Sequence, residues 1–148
     1  MKKTALLLLA ALLIMAAAAC SVPSPEPSPH DADQKNTDIQ MTADEQTVAG
    51  DAELITLTIT NESDKEYTYG AASTIEMEQD GKWYVVEPKE DIFWIEIAYM
   101  IAPGETNEES VTLNKYYGTL KPGNYRIVKT FTDPDGNSLT AFGTFTVE

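Results

Sequence analysis

From residue 39 onward, apolar and polar positions alternate in short runs separated by turn residues. The clearest run is AELITLTIT. Ile55, Leu57 and Ile59 fall on one side, and Thr56, Thr58 and Thr60 on the other. A two-residue period built from β-branched side chains predicts a half-buried strand. IQMTADEQTV reads as a first strand, and EYTYGAASTIEMEQ puts Ile75 and Met77 opposite Glu76 and Glu78. Asp80-Gly81 then predicts a tight hairpin into KWYVVE. ESVTLN, NYRIVKTF and SLTAFGTFTVE supply further strands, the last two joined by TDPDGN, and Pro103-Gly104 marks a turn. The run DIFWIEIAYMI, residues 91–101, fits a long strand or a short helix, with β-branching favouring the strand. Seven or eight short strands at about ten-residue spacing, without a long helical pattern, predict an all-β antiparallel sandwich. The expected core is Leu57, Ile59, Ile75, Trp83, Leu113, Tyr125, Ile127, Phe142 and Phe145 or their immediate neighbours.

The first 38 residues follow different rules. MKKTALLLLAALLIMAAAAC has a basic start, an apolar stretch and small residues before Cys20, the layout of an export signal. Cys20 is the only cysteine, so no internal disulfide is available. MAAAAC followed by Ser21 resembles the lipobox of bacterial lipoproteins, with Ala17 where that family usually has leucine. The resemblance implies cleavage before Cys20, lipid on its sulfur and new N-terminus, and a place on the extracytoplasmic face of the cell membrane. Several acyl chains together suffice for stable anchoring. Residues 21–38 carry Pro23, Pro25, Pro27 and Pro29 and little that is apolar, which predicts a disordered, extended spacer with His30 as a solvated tail residue. The expected organisation is signal 1–19, lipidated cysteine and spacer 20–38, and one domain 39–148.

The formal net charge of −14 argues against nucleic acid or an anionic membrane surface as a direct partner. The acidic residues are dispersed in DADQ, TADE, NESDKE and EPKED, a solvated pattern and not a metal cluster.

Leu120-Lys121-Pro122-Gly123-Asn124-Tyr125 is similar to the Leu-x-Pro-Gly-x-Tyr corner of immunoglobulin-like and fibronectin-like modules. There a buried tyrosine bonds its hydroxyl to backbone a few residues upstream. LTITN, YTYG, DGKWYVVEP, IAPGET, YYGTLKPGNYRIVK and FGTFTV occur in order. Together they resemble the bacterial immunoglobulin-like domain of Gram-positive lipoproteins and secreted proteins, over about residues 44–148. The resemblance implies an immunoglobulin-like sandwich. It assigns structural work to Leu120, Pro122, Gly123 and Tyr125, as to Trp83, Gly104, Tyr117, Gly118 and Arg126, and brings no catalytic residue.

Chemistry is sparse. No Cys or His lies beyond residue 30, which removes the usual nucleophile pairs and zinc sets. No cofactor or metal is expected. Glu76 with Glu78, or Glu108 with Glu109, offers paired carboxylates, but a solvated strand face accounts for the first pair equally well. DPDGN superficially resembles a calcium loop, yet Gly136 and Thr144 occupy the wrong positions for one. Arg126 and Lys129 read as charges offsetting an acidic surface. Aromatics exceed what a core of this size needs, and in the pairs Trp83-Tyr84 and Tyr116-Tyr117 one member of each is expected outside. Trp94, Tyr116 and Tyr84 are therefore the candidate binding surface. The expected function is a non-catalytic, membrane-anchored module for protein interaction or adhesion, with an envelope protein or glycan as partner. The alternative is a carbohydrate- or solute-binding envelope lipoprotein.

Overall fold

The computed structural model describes residues 24–32 and 34–148; Cys20 and the expected signal lie outside them. Ten strands and one helical turn follow in order: β1 Ile39–Ala43, β2 Thr47–Val48, β3 Leu54–Asn61, β4 Tyr67–Gly70, β5 Thr74–Gln79, β6 Lys82–Val85, β7 Ala98–Ile101, β8 Thr106–Thr112, α1 Asn114–Tyr117, β9 Gly123–Thr132 and β10 Ser138–Val147. One sheet has the order β1-β3-β8. The other runs β2-β10-β9-β4-β7, with β5 also on β9 and β6 on β5. This is an immunoglobulin-like β-sandwich.

Ten strands stand in place of the expected seven or eight, because two longer strands are divided. IQMTADEQTV splits so that β1 pairs antiparallel with β3, while β2 crosses to pair parallel with β10. β4 and β5 lie end to end along β9, opposite Phe131–Thr132 and Tyr125–Val128, broken at residues 71–73. β6 and β7 lie on β5 and β4 in turn, separated by residues 86–97. The run 91–101 is thus neither a single strand nor a helix. It is irregular through Ile97 and extended only from Ala98. Ile92 packs against the core and Ile101 is buried in it, but Phe93, Ile95 and Ile97 between them are exposed, so β-branching alone does not hold that part in a ladder.

The core lies between the sheets. Ile55, Leu57 and Ile59 of β3 meet Ile75, Tyr125, Ile127, Phe131 and Phe145 of the larger sheet, all buried. Full burial of each such side chain contributes about 1.5–3 kcal/mol. Trp83 and Phe142, expected in the core, are only half-buried. The two-residue period explains this. Phe142 alternates with the buried Ala141 and Gly143 and so points to the outer face of the larger sheet. At the β5–β6 hairpin, Asp80 and Gly81 take φ of 51° and 74°, the positive pair that a two-residue turn between twisted strands requires.

Candidate functional site

The residues singled out in the sequence do not converge. Trp94 is 40% exposed in the irregular segment before β7. It borders a cavity with His30, Thr130 and Lys129, and a second with Val86 and Tyr117. Tyr84 is half-buried on β6, where it opposes Met77 and lines a cavity of about 270 Å³ with Pro25, Val86, Tyr117 and Tyr125. Tyr116 sits in α1, half-buried against the core, with the Lys115 ammonium 5.1 Å from its ring centroid. Its partner in sequence, Tyr117, is buried, and burial pushes the Tyr117 phenol up to about 12.

LKPGNY has the geometry of a corner. Leu120 is buried and its amide donates to the Gly50 carbonyl at 2.8 Å. Pro122 precedes Gly123, whose φ of 156° turns the chain into β9. Tyr125 is buried against Phe145, and its hydroxyl donates to the Lys121 carbonyl at 2.8 Å. Burial raises its pKa. The DPDGN turn uses its carboxylate internally. Asp133 accepts the amides of Asp135 and Asn137, the Asn137 side chain and the Lys65 ammonium at 2.8 Å. The Lys65 bond, foremost, and those from Asn137 hold its carboxyl far below the usual carboxylate range. No group of three or more His, Cys, Asp or Glu suited to a metal occurs among the described residues.

Sequence reasoning missed two buried ion pairs. Glu76 and Arg126, both read as surface charges, are each about 97–99% buried on the outer face of the larger sheet. Arg126 Nε donates to Glu76 Oε2 at 2.6 Å, and its guanidinium lies between Trp83 and Phe142, 4.4 and 4.1 Å from their centroids. A planar cation between two ring faces gains attraction from both. Residues 26–30, expected to be disordered spacer, complete this cluster. Val85 N donates to the Glu26 carbonyl and Ser28 N to the Trp83 carbonyl, so the segment adds to the edge of β6. The Ser28 hydroxyl donates to Glu76 Oε1 at 2.6 Å, and the His30 ring packs edge-on to Phe142. Prolines fit an edge strand, where a missing N–H can face solvent, so the composition that suggests a spacer also suits this role. The signal available in the sequence was Glu76 and Arg126 on facing strands, together with the two flanking aromatics.

The second pair crosses the sandwich. Lys129 points inward from β9 and has no exposed side-chain surface. Its ammonium donates to Glu109 Oε1 on β8 at 2.7 Å and to the carbonyls of Gly70, Ala72 and Ala71 at 3.0, 3.3 and 3.4 Å. It thereby holds the break between β4 and β5, whose carbonyls would otherwise lack ladder partners. Burial pulls its pKa below the ordinary lysine value, and Glu109 works against that.

One surface remains apolar and open. Phe93 (90%), Ile95 (66%), Met100 (58%), Ile97 and Tyr99 are exposed beside Trp94. They lead into β7, the last strand of the larger sheet's path and next to the sandwich's open side. Scattered apolar residues on a surface need no explanation, but a contiguous run along a sheet edge does.

A family model described as "Bacterial Ig-like domain" matches residues 35–146. No curated protein matches. Among solved structures, two structural-genomics targets are similar, each over 73% of this chain with a TM-score of 0.43. One is 15% identical over 81% of its own length, and the other, from Bordetella pertussis, 17% over 87%. PapD-like domain 7 of human CEP192 is 9% identical over 85% of this chain and 95% of its own, with a TM-score of 0.33.

Proposed function

The chain belongs to the bacterial Ig-like domain family, and from that premise we propose that it is a non-catalytic extracytoplasmic module that docks a partner protein through the Phe93–Met100 surface. The observation that carries the reading is the exposure of Phe93, Ile95 and Met100 beside a sheet edge. Keeping such side chains in water forgoes about 25 cal/mol for every Å² of apolar surface, which a docked partner would recover. Trp94 supplies the kind of half-sheltered aromatic on which interface energy concentrates. A glycan platform has less support, since Trp94, Tyr84 and Tyr116 do not face one groove.

Anchoring is part of the proposal. The apolar stretch ending at Cys20 supports export and lipidation. Residues 21–27 then separate the lipid from Ser28, a reach of at most about 25 Å. The test is crosslinking on intact cells with the native chain and a Phe93→Ser/Ile95→Ser/Met100→Ser variant, followed by binding of the captured partner in purified form. Loss of binding in the variant, at unchanged thermal midpoint, is expected. Equal binding by both chains would sink the docking surface, and a Cys20→Ala chain that stays in the membrane fraction would sink the anchor.

A further inference from the structure

A cavity of about 510 Å³ opens between β7 and β8, the strands that border the open side of the sandwich, beside the apolar surface. Tyr69, Tyr99, Asn107, Glu108, Glu109 and Ser110 line it. The rings of Tyr69 and Tyr99 lie 5.4 Å apart at 35°. Asn107 spends its amide hydrogens on the Tyr69 hydroxyl and the Met100 carbonyl, both at 3.2 Å. The atoms left over on these side chains are therefore rich in acceptors and ring faces. Glu109 gives one oxygen to Lys129, while its Oε2 is buried without a hydrogen-bond partner. A carboxylate oxygen in that state is costly unless a donor reaches its surroundings.

The charge around the cavity is mainly negative: Lys129 offsets Glu109 from behind, and Glu105 and Glu108 carry no such partner among the described residues. Between Glu90 and Asn114 the chain holds six acidic residues and no lysine or arginine. Glu105 and Glu109 both contribute to the raised pKa of Tyr69, behind its burial, and so place negative potential at the cavity. A second copy of this chain would present the same acidic face, and at net −14 the two would repel. An acidic polymer is excluded for the same reason.

We propose that the cavity receives a lysine or arginine side chain from an extended, basic segment of the docked protein; the inference rests on the docking reading above. The cation would stand against the Tyr99 ring and the exposed Glu108 carboxylate, and its aliphatic stem would cover Met100. Apolar contact would then supply affinity, and the acidic rim partner choice and association rate.

The test titrates the nitrogen-labelled full chain with three capped peptides that alternate valine with lysine, with glutamate and with serine. The lysine peptide should shift the backbone amide signals of Tyr99, Asn107 and Glu108. Its dissociation constant should rise roughly tenfold between about 0.01 and 1 M salt, as screening shortens from about 30 to 3 Å. Glu108→Gln and Tyr99→Ser should each weaken it at least about fivefold; both positions are exposed, so folding is spared. No response to the lysine peptide, equal binding of all three, or shifts confined elsewhere would each overturn the inference. Equal binding of all three at Phe93–Met100 would do so while leaving the docking surface standing. A serine-substituted surface that still binds the captured partner would remove that surface itself.

Discussion

Replacing Lys129 by methionine tests whether a charge at the centre of the sandwich holds its two sheets together. Methionine keeps most of the stem and its packing, so the change isolates the ammonium. That group has no exposed surface and four acceptors within 3.4 Å, one of them the Glu109 carboxylate of the opposite sheet. Removing it leaves Glu109, whose second oxygen already lacks a partner, with no donor. Breaking one side of a buried pair costs about 3–5 kcal/mol. Glu109 is 19% exposed and can turn partly to water, which favours the lower figure. About 3 kcal/mol is a large share of the 5–15 kcal/mol available to a domain, and corresponds to roughly a 10–15 °C fall in Tm at this size.

Urea unfolding followed by the fluorescence of Trp83 and Trp94 measures the loss. A double variant, Lys129→Met/Glu109→Leu, separates the two contributions. If the penalty comes from the stranded carboxylate, the double variant should recover most of it, since an apolar pair of similar volume is often as stable as the ion pair it replaces. An unchanged midpoint in Lys129→Met would refute the reasoning. A double variant no more stable than the single one would move the cost from Glu109 to the carbonyls at the strand break.

Three further outcomes follow from the same geometry. Tyr125→Phe should lower stability by about 1–2 kcal/mol in the same urea assay, by leaving the Lys121 carbonyl without its donor. Asp133→Ala should lower the thermal midpoint at pH 7. It should also flatten the acid limb, because the folded-state pKa of Asp133 is depressed, so its contribution is present above the ordinary value of 3.8 and disappears as pH falls below it. At the alkaline end Tyr117 keeps its proton to about 12 in the fold against 10.0 when unfolded, so its contribution is full below pH 10 and lost between 10 and 12; Tyr117→Phe should remove that part of the decline in a thermal-melt series.

The fold was legible because the strands of one sheet obey a two-residue period with one face apolar. Ile55, Leu57 and Ile59 announce their own burial, and LKPGNY announces a corner through residue types that few other turns require. The candidate site was less legible because a strand's outer face reads as solvent unless something covers it. Glu76 and Arg126 alternate with core residues as surface charges would, and only the docking of residues 26–30 buries them. Lys129 defeats the period in the other direction, standing among Tyr125, Ile127 and Phe131 on the inner face. Its partners, Glu109 and the carbonyls of residues 70–72, lie 20 or more positions away, beyond the reach of a local pattern. The run 91–101 misled by composition, since β-branched and aromatic residues favour strands only where a neighbouring strand accepts them.

The edges of the two sheets explain why one surface is left. A sandwich has two sides where its sheets end. On one side β1 and β2 are successive parts of the same chain, each paired to a different sheet, and together they close the gap. On the other side the larger sheet ends in β6 and β7. Residues 26–28 pair with β6, and Ser28 ties that cover to Glu76 and Arg126. β7 has only four residues, and Asn107 from β8 occupies its Met100 carbonyl. This blunts simple strand addition yet leaves the side chains of Tyr99 and Met100 outside. The β1–β2 crossing thus closes one margin, and the segment docked on Glu76 and Arg126 covers β6 on the other. The apolar run preceding β7 and the acidic cavity beside it occupy the margin that the fold itself does not cover, which is why a partner's apolar and cationic side chains are the complement this surface calls for.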